Sequence, residues 1–253
     1  MTISYHIDSQ FIAKDDLKMS EYIIEVVQYT DPYCTWCWAA EPILRKIKEV
    51  YGDQIKITFK VGGLVKDIDD YNDPEILDWI ANHWLDASKK HGMPVDPTVW
   101  QDMKGEYRST YPASIAYKAA QLQNPELANK YLRRLREAGA AEHRFIHRRE
   151  VQIELAREIG LDVTKFVESL DNKSAEQAFY EDILECRSLG INAFPTFLIQ
   201  NRQGKTVLLG GHRGFDTFEK IFKDLAGDEI GKRTLEATSE TILAFVNYLT
   251  LKQ

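Results

Sequence analysis

Tyr29-Thr30-Asp31-Pro32-Tyr33-Cys34-Thr35-Trp36-Cys37-Trp38 is the stretch whose reading decides the fold. Ahead of it, Tyr22-Ile23-Ile24-Glu25-Val26-Val27 is nearly continuous in apolar and β-branched residues, which predicts a buried strand from Ile23 to Tyr29. Behind it, Ile43, Leu44, Ile47 and Val50 fall on one face of a helix predicted from Ala39 to Val50. Pro42 lies inside that helix and is expected to bend it, because its ring clashes with the preceding turn and it has no N–H. Two thiols at this spacing, the first at a helix N-terminus, form a unit that attacks a disulfide and then releases the product. Unpaired N–H groups and the helix dipole favour a thiolate on the leading cysteine. The second thiol, one turn on, displaces the trapped partner.

Further along, Gln54-Ile55-Lys56-Ile57-Thr58-Phe59-Lys60-Val61 alternates as a strand and ends at Gly62-Gly63. Strand, helix and strand make a parallel βαβ unit. From about residue 66 to 189 strand signals give way to helix punctuation. Asp73-Pro74 and Asn124-Pro125 open helices, the second with Gly139 as its expected stop. A charged helix is predicted from about Glu142 to Ile159, one capped by Asp162, and one capped by Ser174 that carries Phe179, Ile183 and Cys186. β character returns at Thr196-Phe197-Leu198-Ile199-Gln200, and with Thr206-Val207-Leu208-Leu209 it predicts a hairpin. A helix from about Thr217 and a last amphipathic helix near Leu235 to Leu249 complete the order β-α-β, helical insert, β-β-α.

Composition sets outer bounds. The chain has 253 residues, 44% hydrophobic and 28% charged, enough for one or two domains with a sizeable core. A net charge of −7 argues against nucleic acid or an anionic membrane surface as partner. Three cysteines do not make a disulfide scaffold. Met1 to Ser20 has no apolar core or small-residue cleavage site, and no stretch reaches transmembrane length. The expectation is therefore a cytoplasmic protein, in a compartment where a cysteine pair is more often catalytic, redox-sensing or metal-binding than structural.

These motifs resemble the DsbA-like branch of the thioredoxin superfamily. The resemblance rests on the CxxC at a strand-to-helix junction, the helical insert, and Leu189-Gly190-Ile191-Asn192-Ala193-Phe194-Pro195-Thr196-Phe197-Leu198-Ile199, which is similar to the family's cis-proline segment. It implies an α/β, thioredoxin-like fold with a large all-α insertion. Residues 20–65 and 190–230 would form the thioredoxin-like unit, 66–189 the insertion and 231–253 a C-terminal helix. It also implies that Cys34 is the exposed nucleophile, more acidic than a free thiol, and Cys37 the buried resolving thiol. A cis peptide before Pro195 would leave the Phe194 backbone free to pair with an extended substrate. Trp36, Phe194 and Pro195 are thus the expected substrate contacts.

Within the branch, the pattern of Asp31-Pro32, Cys34, Cys37-Trp38 and Glu41-Pro42 is similar to FrnE-like dithiol oxidoreductases and to YjbH-type adaptors that deliver a client to a Clp protease. Kappa-class glutathione transferases share the fold but use serine where Cys34 stands. One departure is Gln28, which occupies the position of a carboxylate in thioredoxin and DsbA; Asp31 and Glu41 are near it in sequence.

The leading expectation is disulfide reduction, exchange or isomerisation on protein or small-molecule substrates, with an external thiol as reductant and no metal or organic cofactor. The alternative is a protein-binding adaptor whose cysteines turn over little. Zinc ligation by Cys34 and Cys37 would need two further ligands, and only Cys186 is left among the cysteines. Cys186 itself reads as a buried hydrophobe, His212 as a solvated loop residue, and His143-Arg144 with His147-Arg148-Arg149 as a solvated helix face.

Overall fold

The computed structural model describes residues 22–67, 74–102, 109–234 and 238–239. The predicted helix from Leu235 to Leu249 lies outside the described residues, apart from Thr238 and Ser239, and so does Met1 to Ser20. Strand β1 (Ile24–Thr30) leads into a short helix, α1 (Thr35–Ala39), followed by α2 (Glu41–Tyr51) and β2 (Ile55–Val61). Seven helices come next: α3 (Pro74–His91), α4 (Val99–Asp102), α5 (Tyr111–Gln123), α6 (Pro125–Ala141), α7 (Arg149–Glu158), α8 (Val163–Asp171) and α9 (Ser174–Ser188). The hairpin of β3 (Thr196–Asn201) and β4 (Thr206–Gly210) and helix α10 (Phe215–Ala226) end the order.

The sheet runs β2-β1-β3-β4. β1 pairs with β2 in parallel and with β3 antiparallel, so that Val26 faces Ile57 on one side and Ile199 on the other. The short turn after β3 is closed by Asn201, whose side-chain oxygen accepts from the N–H groups of Gln203 and Lys205. Ile24 and Val26 on one face of β1 join the main core, where Phe197 meets Phe218 edge-on and Tyr51 meets Phe222. The opposite face, through Tyr29, packs with Cys186 and Ile191 after α9.

The predicted helix after the cysteines is divided in two. Pro42 lies in the first turn of α2, and its ring leaves no room for the carbonyl of Trp38 to continue the ladder; that carbonyl takes the Ala40 N–H instead. Helix α5 was not foreseen from periodicity, and it lies at the centre of the insert. Ala113, Ser114, Ala116, Tyr117, Lys118, Ala119 and Ala120 are all buried, so no polar face marks it in the sequence. Its Lys118 pairs with Asp182 of α9 at 2.9 Å, and Asp182 also accepts the Val61 N–H that ends β2.

Three boundaries differ from expectation. Gly139 does not stop α6, which continues to Ala141; the glycine instead makes room for buried Ile146. The charged helix starts at Arg149 rather than Glu142, because residues 143–148 form a loop in which His143 adopts φ 55°. Asn124 and Asp162 cap α6 and α8 with their side chains, but Ser174 is the first residue of α9 and left-handed Lys173 precedes it. A Cβ on Gly139 would lie 3.0 Å from Ile146 Cδ1, and Ile146 has no free space to retreat into. Gly139→Val is therefore expected to lower unfolding free energy by about 1–3 kcal/mol in denaturant titration; unchanged stability would show that the contact is slack.

Candidate functional site: a dithiol between sheet and insert

The loop that carries the dithiol is held from below by Asp31, which is fully buried. Its Oδ1 accepts the Tyr33 N–H at 2.8 Å, and its Oδ2 accepts the Leu64 N–H at 2.8 Å and the Ser114 hydroxyl at 3.5 Å. Burial raises its carboxyl above the usual range, against these bonds and one from Thr110. The Cys34 N–H closes the turn onto the Asp31 carbonyl at 3.1 Å. Cys34 then caps α1, its sulfur accepting the Cys37 N–H at 3.3 Å.

The N–H to sulfur bond joins the two cysteines, and each thiol perturbs the ionisation of the other. Cys37 is fully sealed, whereas Cys34 is 6% exposed and opens onto a cavity of about 340 Å³. The expected exposed nucleophile is thus nearly covered, because aromatic side chains close around it. The cavity wall includes Tyr33, Trp36, Trp79, Trp84, Trp100 and Phe194. At its rim Trp79 is 65% and Leu64 46% exposed. The Phe194–Pro195 peptide is cis, and the Phe194 carbonyl lies 3.5 Å from the Cys34 sulfur, which donates to it. Phe194 therefore lines the cavity and presents its carbonyl to Cys34, while its ring lies over Gly62; Pro195 is not among the lining residues.

The electrostatics depart from the sequence reading. Burial, the bond to Cys37 and the Cys37 charge push the Cys34 thiol up. Burial opposes ionisation of Cys37 too, but the bond from Cys34, the Arg136 guanidinium and the Thr30 hydroxyl outweigh it and bring that thiol down. The surroundings thus favour a negative charge on the inner sulfur over one on the outer. Arg136 had no place in the sequence reading. It projects from α6, is fully buried, and contacts Glu41, Thr30 and Gln28. Its signal is a cation inside the apolar stripe of Leu132, Leu135 and Gly139. Glu41 is engaged by Arg136 and, at 3.9 Å, by Arg133.

Trp36 is half-buried and donates its Nε1–H to His83 Nε2 at 3.3 Å. His91 and His212 approach its ring, at 5.8 and 5.9 Å between centroids. His212 is therefore packed against the site rather than solvated. Trp38 is buried and donates to the Pro94 carbonyl. The basic cluster is not a free face: His143 contacts Asp96 and Asp102, Arg144 pairs with Glu154 and Glu158, Arg149 pairs with Asp171, and His147 meets the Tyr33 hydroxyl at 2.9 Å. Cys186 is buried as expected, its thiol pushed up to about 12 by burial and by Asp182 and Glu185. Among the described residues, no group of three or more His, Cys, Asp or Glu side chains is placed to hold a metal ion.

A four-stranded mixed sheet, a dithiol at the β1–α1 junction, a cis-proline opposite it and a helical insert define a DsbA-like thioredoxin fold. Residues 28–220 match the thioredoxin family model, and the chain belongs to that family. It is 29% identical over 221 residues to the ClpXP adapter protein SpxH of Halalkalibacterium halodurans, a match covering 85% of this chain and 72% of that protein. Among solved structures it is similar to a putative protein disulfide isomerase from Nitrosomonas europaea (TM-score 0.70, 19% identity, 80% of this chain and 97% of that one). It also resembles the cytosolic disulfide reductase DsbM from Pseudomonas aeruginosa (TM-score 0.63, 23% identity, 79% and 97%).

His91 beside Trp36 provides a test of this geometry. Its Nδ1 accepts the Met93 N–H at 3.0 Å, which leaves the proton on a buried Nε2 that has no partner. Burial, then the His212 ring, bring its imidazole down from 6.5 to about 4. Between those two values the unfolded chain binds a proton that the folded chain refuses, so stability falls as pH is lowered through that window. His91→Asn, which keeps an acceptor for Met93, is expected to flatten that part of the stability–pH curve. Identical slopes for the two proteins would contradict the placement of the ring.

Proposed function

We propose that the chain is a thiol–disulfide oxidoreductase acting through Cys34 and Cys37. The observation that carries this reading is the pairing of a sealed thiol with one that opens into a cavity beside the Phe194 carbonyl. In the reducing direction the Cys34 proton passes to the Cys37 thiolate one helical turn away. The Cys34 thiolate attacks one sulfur of the substrate disulfide; that S–S bond breaks, and the departing thiolate takes up a proton. Cys37, again a thiolate, attacks the Cys34 sulfur and expels the second substrate thiolate. Two electrons pass to the substrate and a Cys34–Cys37 disulfide remains, to be reduced by an external thiol. The same steps in reverse oxidise a dithiol, and an incomplete cycle isomerises one.

In this reading Trp36 and Phe194 contact the substrate, with Pro195 fixing the Phe194 carbonyl in place. Segments 20–65 and 190–230 form the redox unit, and the 66–189 insertion supplies the far wall of the cavity. Among the described residues the lining includes no Lys, Arg, Asp or Glu, which suits an apolar side chain next to a protein disulfide better than a multiply charged small thiol. No metal or organic cofactor has a role in these steps. The cytosolic Pseudomonas reductase supports a cytoplasmic setting.

A second reading is favoured by the relative named as a ClpXP adapter. Here the aromatic rim around Trp79 and Leu64 holds a protein client for a Clp protease, and the cysteines turn over little. The two readings separate in one set of measurements. Oxidoreduction predicts that Cys34→Ser reduces insulin-disulfide turnover to the uncatalysed rate and that Cys37→Ser accumulates mixed disulfides. Wild-type turnover no faster than that of Cys34→Ser sinks it. The adaptor reading predicts that client capture survives replacement of both cysteines by serine.

A further inference from the structure

Gly62 follows the last residue of β2, and its N–H continues the ladder onto the Thr30 carbonyl at 2.9 Å. Just beyond it, Leu64 and Val65 line the cavity next to Cys34. The space where a side chain would stand on Gly62 is already taken. A Cβ there would lie 2.2 Å from Cζ and 2.5 Å from Cε1 of Phe194, with the Cys186 sulfur at 3.0 Å. Unbonded carbon atoms do not approach so closely. Gly63 has φ 66°, a torsion that favours glycine, but Gly62 is outside that region. The requirement at Gly62 is therefore close approach by a neighbour, not backbone freedom.

We infer that Gly62 is a positioning residue for the dithiol site: its bare α-carbon is the seat that keeps the Phe194 ring out of the cavity beside Cys34. This deepens the oxidoreductase reading and rests on it for its biological meaning. Phe194 is held at two ends, its carbonyl 3.5 Å from the Cys34 sulfur and its ring against Gly62. The main chain on either side is tied down. The Thr196 hydroxyl donates to the Ala193 carbonyl at 2.8 Å, and the Gly211 N–H donates to the Pro195 carbonyl at 2.8 Å. Phe194 also packs against the buried cluster of Tyr29, Cys186 and Ile191. A methyl group on Gly62 could not retreat, because the Gly62 N–H is fixed to β1; the ring would have to move. The open space next to Phe194 is the cavity that it lines. A ring tipped into that space narrows the approach to Cys34 and pulls on the carbonyl. The penalty falls by size: a bulky group beside the attacked sulfur is shut out before a small one is.

The test compares Gly62→Ala, Phe194→Leu and the two combined, each as reduced full-length protein. Leucine lacks Cζ and Cε1, the two atoms that a Cβ on Gly62 would meet. Gly210→Ala is the control, because nothing lies within 4 Å of a Cβ at that position. Alkylation of Cys34 by iodoacetamide and by the bulkier N-phenylmaleimide is timed and located by peptide mass spectrometry, and the ratio of the two rates reports the room at the sulfur. Gly62→Ala is expected to lower the maleimide-to-iodoacetamide ratio about tenfold. It is expected to lower kcat/KM by a similar factor, mainly through KM, on a peptide disulfide with phenylalanine next to the cysteine. In the Phe194→Leu background the same substitution should change the ratio by about twofold or less. Gly210→Ala should keep the wild-type ratio. Phe194→Tyr adds an oxygen to the Cζ that lies against Gly62, so it overfills the same space from the other side and should lower the ratio too. That variant decides the matter if Gly62→Ala does not fold. A wild-type ratio in folded Gly62→Ala or in Phe194→Tyr overturns the inference, as does an equal loss from Gly62→Ala with and without the Phe194 ring. Alkylation needs no disulfide turnover: a wild-type protein inert on insulin would remove the oxidoreductase reading and still leave Gly62 tested.

Discussion

The buried carboxylate of Asp31 joins three parts of the chain that are distant in sequence. It receives the Tyr33 N–H of its own turn, the Leu64 N–H beyond β2, and the Ser114 hydroxyl of the central insert helix. A charged group without water is tolerated only when its oxygens are filled. Here the filling groups are the ones that set the relation between the dithiol loop, the sheet and the insert. The cavity next to Cys34 lies where these three meet, lined by Tyr33 of the loop, Leu64 beyond β2 and residues of the insert.

Around that clamp the site separates its two sulfurs by environment. They are one helical turn apart and joined by the Cys37 N–H to Cys34 sulfur bond, yet one opens onto an aromatic hollow and the other is sealed in the interior. The helix dipole, which sequence reasoning assigned to the outer thiol, belongs here to a helix of five residues that breaks at Ala40. A cation within the protein interior acts more strongly than the end of so short a helix, because little solvent lies between to screen it. Burial raises the outer thiol, while the inner one is brought down in spite of burial, with Arg136 of the insert among the contributors.

Much of this was legible in the chain. The two strands flanking Cys34, the hairpin after Pro195 and the helical stretch between them all carry strong local signals: β-branched runs, turn residues and Asn or Asp caps. What escaped reading depends on tertiary contacts. Helix α5 is lined with buried alanines on nearly every side, and a helix without a polar face has no period to detect. Gly139 reads as a terminator until Ile146 folds back across it. His212 and His147 look like surface histidines until Trp36 and Tyr33 arrive beside them. Arg136 could have been noticed as a lone charge in an apolar stripe, but its partners are on β1 and α2, more than ninety positions away.

Cys186 packs behind the same assembly, next to the Phe194 ring that fills the space above Gly62. Its sulfur is enclosed and its proton tightly held. Such a thiol is a poor competitor for electrophiles, which keeps the third cysteine outside the exchange proposed for the other two. Chemoselectivity in this molecule is thus a matter of packing: an alkylating reagent applied to the native reduced protein meets a chain with three sulfhydryls in its formula and fewer within reach.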